Sequence, residues 1–279
     1  MGKLDYPTLA GATIVAVAAT LGAAESLTQT GALGFWPTPN PRNNIRSTSE
    51  TAMSKANLAL GAVAVAAHAY VLLLLAVLPL LRPEYSVVHT WISAYAVGRL
   101  GWLMTSVFVA MSLGALALLI GLARLGPVTC MRWVGCVLLT VFVAGALLAA
   151  VFPTDAPGAA HSARGEIHSI NALVNFSSAM LAALFLSASF GRDTRWRSFQ
   201  PLALVIAATS VAAFVILFAA AARGWYWVGI ANRAFAAALM GWLLLASITP
   251  ARGGAWELSH QSGNTRPDYS PDTAGGSRR

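Results

Sequence analysis

Between Asp155 and His168 the chain carries Asp155, His161, Arg164, Glu166 and His168. Such a density of ionisable side chains stands out where only 10 % of all residues are charged. Beyond His168 come Asn171, Asn175 and Ser178, at +3, +7 and +10. At 100° per residue these four positions fall within roughly 80° of arc on a helix, so a polar stripe descends from the loop along one helical face. Two other stretches add polar groups: His89, Ser93 and Arg99 in one, Asn232 and Arg233 in the other.

Two chemistries suit these residue types. In the first, Arg99 and Arg233 grip an anionic headgroup or small solute, because a guanidinium is planar, always charged and matched to phosphate. The polar pocket then consists of His89, Ser93, Arg99, Asp155, Glu166, His168, Asn171, Asn175, Asn232 and Arg233. It needs no cofactor, and the protein is a lipid-handling or transport-accessory protein. In the second, His89, Asp155 and His168 are zinc ligands and Glu166 or His161 is a base, giving a metal-dependent hydrolase embedded in the membrane. The His-Glu-x-x-His spacing that puts two ligands on one helix is absent, as are a Gly-x-Ser-x-Gly elbow, a P-loop and a dinucleotide fingerprint. A third reading is purely structural. Asp155 starts a turn after Pro153, Ser162 and Glu166 start a helix, and the arginines pair with carboxylates to tie helices together.

The elements that position these groups are membrane helices. The chain has 279 residues, 57 % of them hydrophobic, with a mean hydropathy of +0.66. A soluble domain is about a quarter charged, so this composition excludes an ordinary soluble fold. The predicted class is all-α, a polytopic transmembrane bundle of six strong spans: 58–81, 100–123, 134–152, a fourth ending at Phe190, 201–222 and 228–249. A seventh candidate span lies at 8–24. Each strong span is long enough to cross the ~30 Å hydrocarbon layer at 1.5 Å per residue, and none alternates as the strands of a membrane barrel do. His68 falls inside the first span, where a neutral imidazole bonded between helices is the expected state. Residues 1–57 read as an N-terminal segment with a Pro-rich linker, 58–249 as the membrane domain and 250–279 as a disordered tail. Cys130 and Cys136 fit no metal or redox motif.

The net charge of +8 has no basic patch interleaved with aromatics, so no nucleic-acid partner is expected. The partner is the lipid bilayer, with a lipid or small solute as ligand. Six spans place thirteen of the eighteen Lys and Arg residues on the side of 124–133, 191–200 and the tail. Positive loops stay cytoplasmic. The tail is therefore expected inside, and the 152–168 loop, the His89 connector and the Trp225–Trp227 turn outside. The abundance of Ala and Val suggests a GC-rich bacterial genome, hence a bacterial inner membrane.

The stretch Ile92-Ser-Ala-Tyr-Ala-Val-Gly-Arg-Leu-Gly-Trp-Leu-Met104, followed by Phe152-Pro-Thr-Asp155 and Gly165-Glu-Ile-His168, resembles the bacterial and archaeal membrane family called domain of unknown function 998. The resemblance spans about residues 58–249. It departs from the family at Ala94, where members usually carry an acidic residue. It implies the six-span topology and the place of the site, without implying a reaction. One arrangement would satisfy all these groups at once: Arg99, Asp155, His168 and Arg233 sharing a coupled cluster beneath one face of the bundle.

Overall fold

The computed structural model describes residues 45–263 apart from Arg195, with side chains over 53–248. The candidate span at 8–24, the Pro-rich stretch around Trp36 and residues 264–279 lie outside the described residues. Six α-helices follow in order: α1 (Ile45–Leu81), α2 (Gly101–Leu125), α3 (Cys130–Val151), α4 (Ala163–Phe190), α5 (Gln200–Ala222) and α6 (Val228–Gly263). There is no strand among the described residues.

Six helical stretches are long and apolar enough to cross a membrane: Met53–Leu81, Gly101–Leu125, Cys130–Val151, Ala163–Phe190, Arg197–Ala222, which takes in the 3-10 turn Arg197–Phe199 before α5, and Val228–Ile248. Three boundaries differ instructively from the hydropathy reading. α1 begins at Ile45 because Glu50, Ala52, Met53, Lys55 and Ala56 are good helix formers, although the charges of Glu50 and Lys55 and the polar residues around them lower the hydropathy there. α4 begins at Ala163, where the Ser162 hydroxyl accepts the Gly165 N–H at 3.1 Å, so Glu166 and His168 belong to its first turns and not to the loop. The backbone of α6 stays helical to Gly263, past the predicted start of the tail.

Short turns make sequential helices antiparallel neighbours. Each helix packs on the next, and α6 returns onto α1, so the six form a closed ring; α2 and α4 also reach α6 across its middle. Of the neighbouring pairs, α4 and α5 share the smallest interface. Hydrogen bonds cross between helices at several depths. Tyr70 Oη and Ser106 Oγ are 2.7 Å apart between α1 and α2, and Ser112 donates to the Val143 carbonyl of α3 at 2.9 Å. Trp242 Nε1 donates to Ser187 Oγ at 2.8 Å between α6 and α4. His68 Nδ1 lies 3.0 Å from Ser247 Oγ, closing α1 onto α6. In a bilayer each such bond adds about 0.6 kcal/mol, which makes them register pins more than sources of stability.

The outer surface keeps large apolar side chains exposed, among them Leu73, Leu113, Val137, Val205 and Val215, as a lipid-facing wall requires. The segments 82–100, 152–162 and 223–227 gather at one end of the ring, here the connector end. Trp91, Trp102, Trp225 and Tyr226 are exposed there, the ring of aromatics expected at headgroup level. At the opposite end buried Arg132 donates to the carbonyls of Ala123 and Gly126 at 3.2 and 2.9 Å, satisfying the C-terminus of α2.

Candidate functional site

The connector 82–100 is mostly irregular, apart from the short 3-10 helix Ile92–Ala96, so its backbone carbonyls need partners from elsewhere. Arg233, on the second turn of α6, supplies them. Its Nη1 donates to the carbonyls of Val87, Thr90 and Gly229 at 3.0, 2.8 and 3.0 Å, and its Nη2 donates to the Tyr95 hydroxyl at 3.0 Å. One turn earlier, Gly229 N–H donates to the Val88 carbonyl at 2.8 Å. A methyl on Gly229 would stand 2.7–2.8 Å from the carbonyl oxygens of Val87, Val88 and Thr90, so only hydrogen fits there. Asn232 completes the joint: its Oδ1 accepts the Ile92 N–H at 2.9 Å. Arg82 anchors the connector's other side, donating to Glu84 and, at 3.0 Å, to the Val97 carbonyl. His89 Nδ1 donates to the Tyr226 carbonyl and so ties the connector to the 223–227 turn.

Asp155 has a comparable local task. It accepts the Ser162 N–H at 2.9 Å and the Ser162 hydroxyl at 2.6 Å, closing the loop that feeds α4. Those bonds hold its carboxyl below the usual carboxylate range. Gly165 must be glycine for this closure, since a methyl there would meet Asp155 Oδ2 at 2.1 Å.

The predicted cluster of Arg99, Asp155, His168 and Arg233 is therefore not what forms. Arg233 spends its donors on backbone carbonyls, and Asp155 spends its oxygens on Ser162. Arg99 is exposed and adds only a weak attraction to Glu84, whose carboxyl is lowered first by Arg82. Glu166 is exposed on α4. The reason is geometric: an irregular connector frees carbonyl oxygens within reach of Arg233, and these take up its N–H groups in place of a carboxylate. The proposed metal ligands also separate. His89 sits on the outer rim against Tyr226, and among the described residues no three His, Cys, Asp or Glu side chains gather where an ion could sit.

What does converge is the polar stripe of α4. A cavity of about 810 Å³ lies inside the ring toward the connector end. His168, Asn171 and Asn175 stand on its wall with Ser93 of the connector and Asn232 of α6. The remaining wall is largely apolar, including Met104, Phe108, Met111, Phe176, Leu217, Phe235 and Met240, and its rim carries Trp91, Thr154, His161 and Trp225. No Lys, Arg, Asp or Glu lines it among the described residues. The arginines that would have received an anion are thus off the wall.

The stripe's hydrogen-bonding state decides what the cavity can hold. His168 is 5 % exposed, and its Nδ1 donates to the Phe152 carbonyl at 2.8 Å. The proton is therefore on Nδ1, which leaves Nε2 as an acceptor. Asn171 donates to the Gly145 carbonyl at 2.9 Å and is oriented by it. Asn175 is 4 % exposed, and its Oδ1 is buried without a hydrogen-bond partner. Space for that amide comes from Gly145, where a methyl would lie 2.4 Å from Asn175 Oδ1. An amide buried without a partner costs several tenths to a few kcal/mol, roughly 1–3 by mutational measures. The sequence exposes the stripe through its 3.6-residue period. It gives no comparable sign of Gly145, Gly229, Arg82 or Tyr95, whose roles depend on what another segment brings against them.

A family model described as Protein of unknown function (DUF998) matches residues 63–249, which takes in the connector, the Asp155 loop, the stripe and the cavity. No curated protein and no solved structure matches the chain.

Proposed function

The chain belongs to the DUF998 family of proteins of unknown function, and from that premise we propose that it is an integral membrane protein whose ring holds an uncharged amphiphile. The apolar body of the ligand lies among Met104, Phe108, Phe176 and Phe235, and its hydrogen-bonding end, a hydroxyl or an amide, meets His168 Nε2 and Asn175. The observation that carries this reading is the polar stripe of His168, Asn171 and Asn175 on the wall of an otherwise apolar cavity. The cavity's volume is in the range of sites that enclose small organic molecules, commonly about 300–1,000 Å³. An anionic headgroup suits it poorly, because a charge brought to that wall would find no cation. The activity this implies is lipid handling or accessory service to transport.

Protein purified in mild detergent is expected to carry a neutral amphiphile, seen as a mass adduct by native mass spectrometry and identified after extraction. Asn175→Leu is expected to lower its occupancy about tenfold, the loss of one to two hydrogen bonds. The same change should leave the empty protein as stable as before or more so, because it removes a buried amide oxygen without a partner. An empty wild-type cavity, or equal occupancy in both proteins, rejects the reading.

The charge distribution of the loops supports an outward connector end and a cytoplasmic opposite end. In a variant with Cys130 and Cys136 replaced by serine, a cysteine at Thr154 is expected to react with an impermeant thiol reagent on intact cells, and one at Thr194 is not. The reverse pattern inverts the protein and turns the cavity toward the cytoplasm.

A further inference from the structure

We infer that the cavity is entered sideways, from the bilayer, through the cleft between the connector-end halves of α4 and α5, and that its ligand is consequently a membrane lipid with an uncharged hydroxyl or amide end. The inference rests on the cavity-binding reading and names the source of the ligand.

The ring has one weak seam. Every other pair of neighbouring helices shares a larger interface than α4 and α5. At that seam small residues line the cavity and keep accessible surface: Ser169 and Ala172 of α4 and Ala221 and Ala222 of α5 are exposed or half-buried. Ser169, Ala172 and Phe176 are spaced to share one face of α4. That face lies about 10–20 Å along α4 from its start at 1.5 Å per residue, while Ala221 and Ala222 end α5 beside the aromatic belt of Trp225 and Tyr226, so the cleft opens just beneath headgroup level.

The last turn of α5 is all alanine, Ala219 to Ala222, and all four line the cavity, so whichever of them faces the cleft presents no large side chain. Its floor is an aromatic cluster. Phe176 and Phe235 are 5.2 Å apart, Phe214 and Phe235 5.1 Å, and Phe214 and Phe218 4.5 Å, so α4, α5 and α6 are held together immediately below the opening. The route through the loops is stiffer. The connector is pinned by Arg82 and Arg233, and the Asp155 loop by its two bonds to Ser162.

The test uses the full chain in phosphatidylcholine vesicles containing hexadecanol that bears a mid-chain diazirine. After illumination, labelled peptides are mapped by mass spectrometry. The wild-type protein is expected to be labelled within 168–176. Labelling is expected to fall about tenfold in Ala221→Trp, and in Ser169→Trp as a second obstruction should the first not fold, while Ala160→Trp, on the exposed loop beside the rim, leaves it unchanged. Equal labelling in all variants, or loss in Ala160→Trp alone, overturns lateral entry and leaves the binding site standing. A wild-type protein with no label in the cavity overturns the binding site and the portal together.

Discussion

Arg233→Met is expected to lower the Tm in detergent by the equivalent of about 3 kcal/mol. The methionine keeps the apolar length of the side chain and removes every donor. It leaves the carbonyls of Val87 and Thr90 without the guanidinium that bridges them, and the Tyr95 hydroxyl without its donor. Unmet backbone acceptors cost about 1–3 kcal/mol each, and partial access to water lowers the sum. Arg233→Lys should recover only part of the loss, because a single ammonium cannot reach two carbonyls and a hydroxyl in the fork geometry of arginine. Combined with Asp155→Ala, the effect should add to within about 0.5 kcal/mol, since the two residues share no partner. Thermal unfolding of the four proteins checks this. Strong coupling between Asp155 and Arg233 would contradict the separate roles described for them.

Gly229→Ala is expected to cost about 2–3 kcal/mol, a large penalty for one methyl group. The atoms it meets are backbone carbonyl oxygens from three residues of the connector, and none can rotate away. The start of α6 must then retreat from the connector, which breaks the Gly229–Val88 bond and pulls Arg233 off its acceptors. Because both residues serve one joint, Gly229→Ala and Arg233→Met together should cost less than their sum. Limited proteolysis gives a second measure: cleavage is expected to rise within 82–100 and not at 126–129. An unchanged Tm would mean that the connector yields freely, and the joint would then have no energetic weight.

The six spans were legible because lipid imposes a simple rule on every one of them: a backbone satisfied within the helix and an apolar surface of fixed length. The stripe of His168, Asn171 and Asn175 was legible for a related reason, since a short periodic set of polar residues inside an apolar run must face the interior. Arg233 was placed at the right depth and given the wrong partners. Complementary charge was the only attraction visible along the chain, whereas the connector's free carbonyls exist only once the chain has folded past Tyr85 and turned at Gly98, whose φ is +86°. Asp155 followed the local rule for a residue closing a turn and capping a helix, and that rule outweighed the longer-range pairing. Gly145 and Gly229 were hidden altogether. A glycine in an alanine-rich helix carries no mark of the atom that will press against it.

The closed ring also dictates an order of events in biogenesis. The helix that completes the ring is the last to be made, and His68 and Ser247, which join its ends, are 179 residues apart in the chain. At about 5–20 residues per second, translation separates them by roughly 10–40 s. During that interval the His68 imidazole lacks the Ser247 hydroxyl, so the bond that seals the ring is among the last native contacts the chain can make.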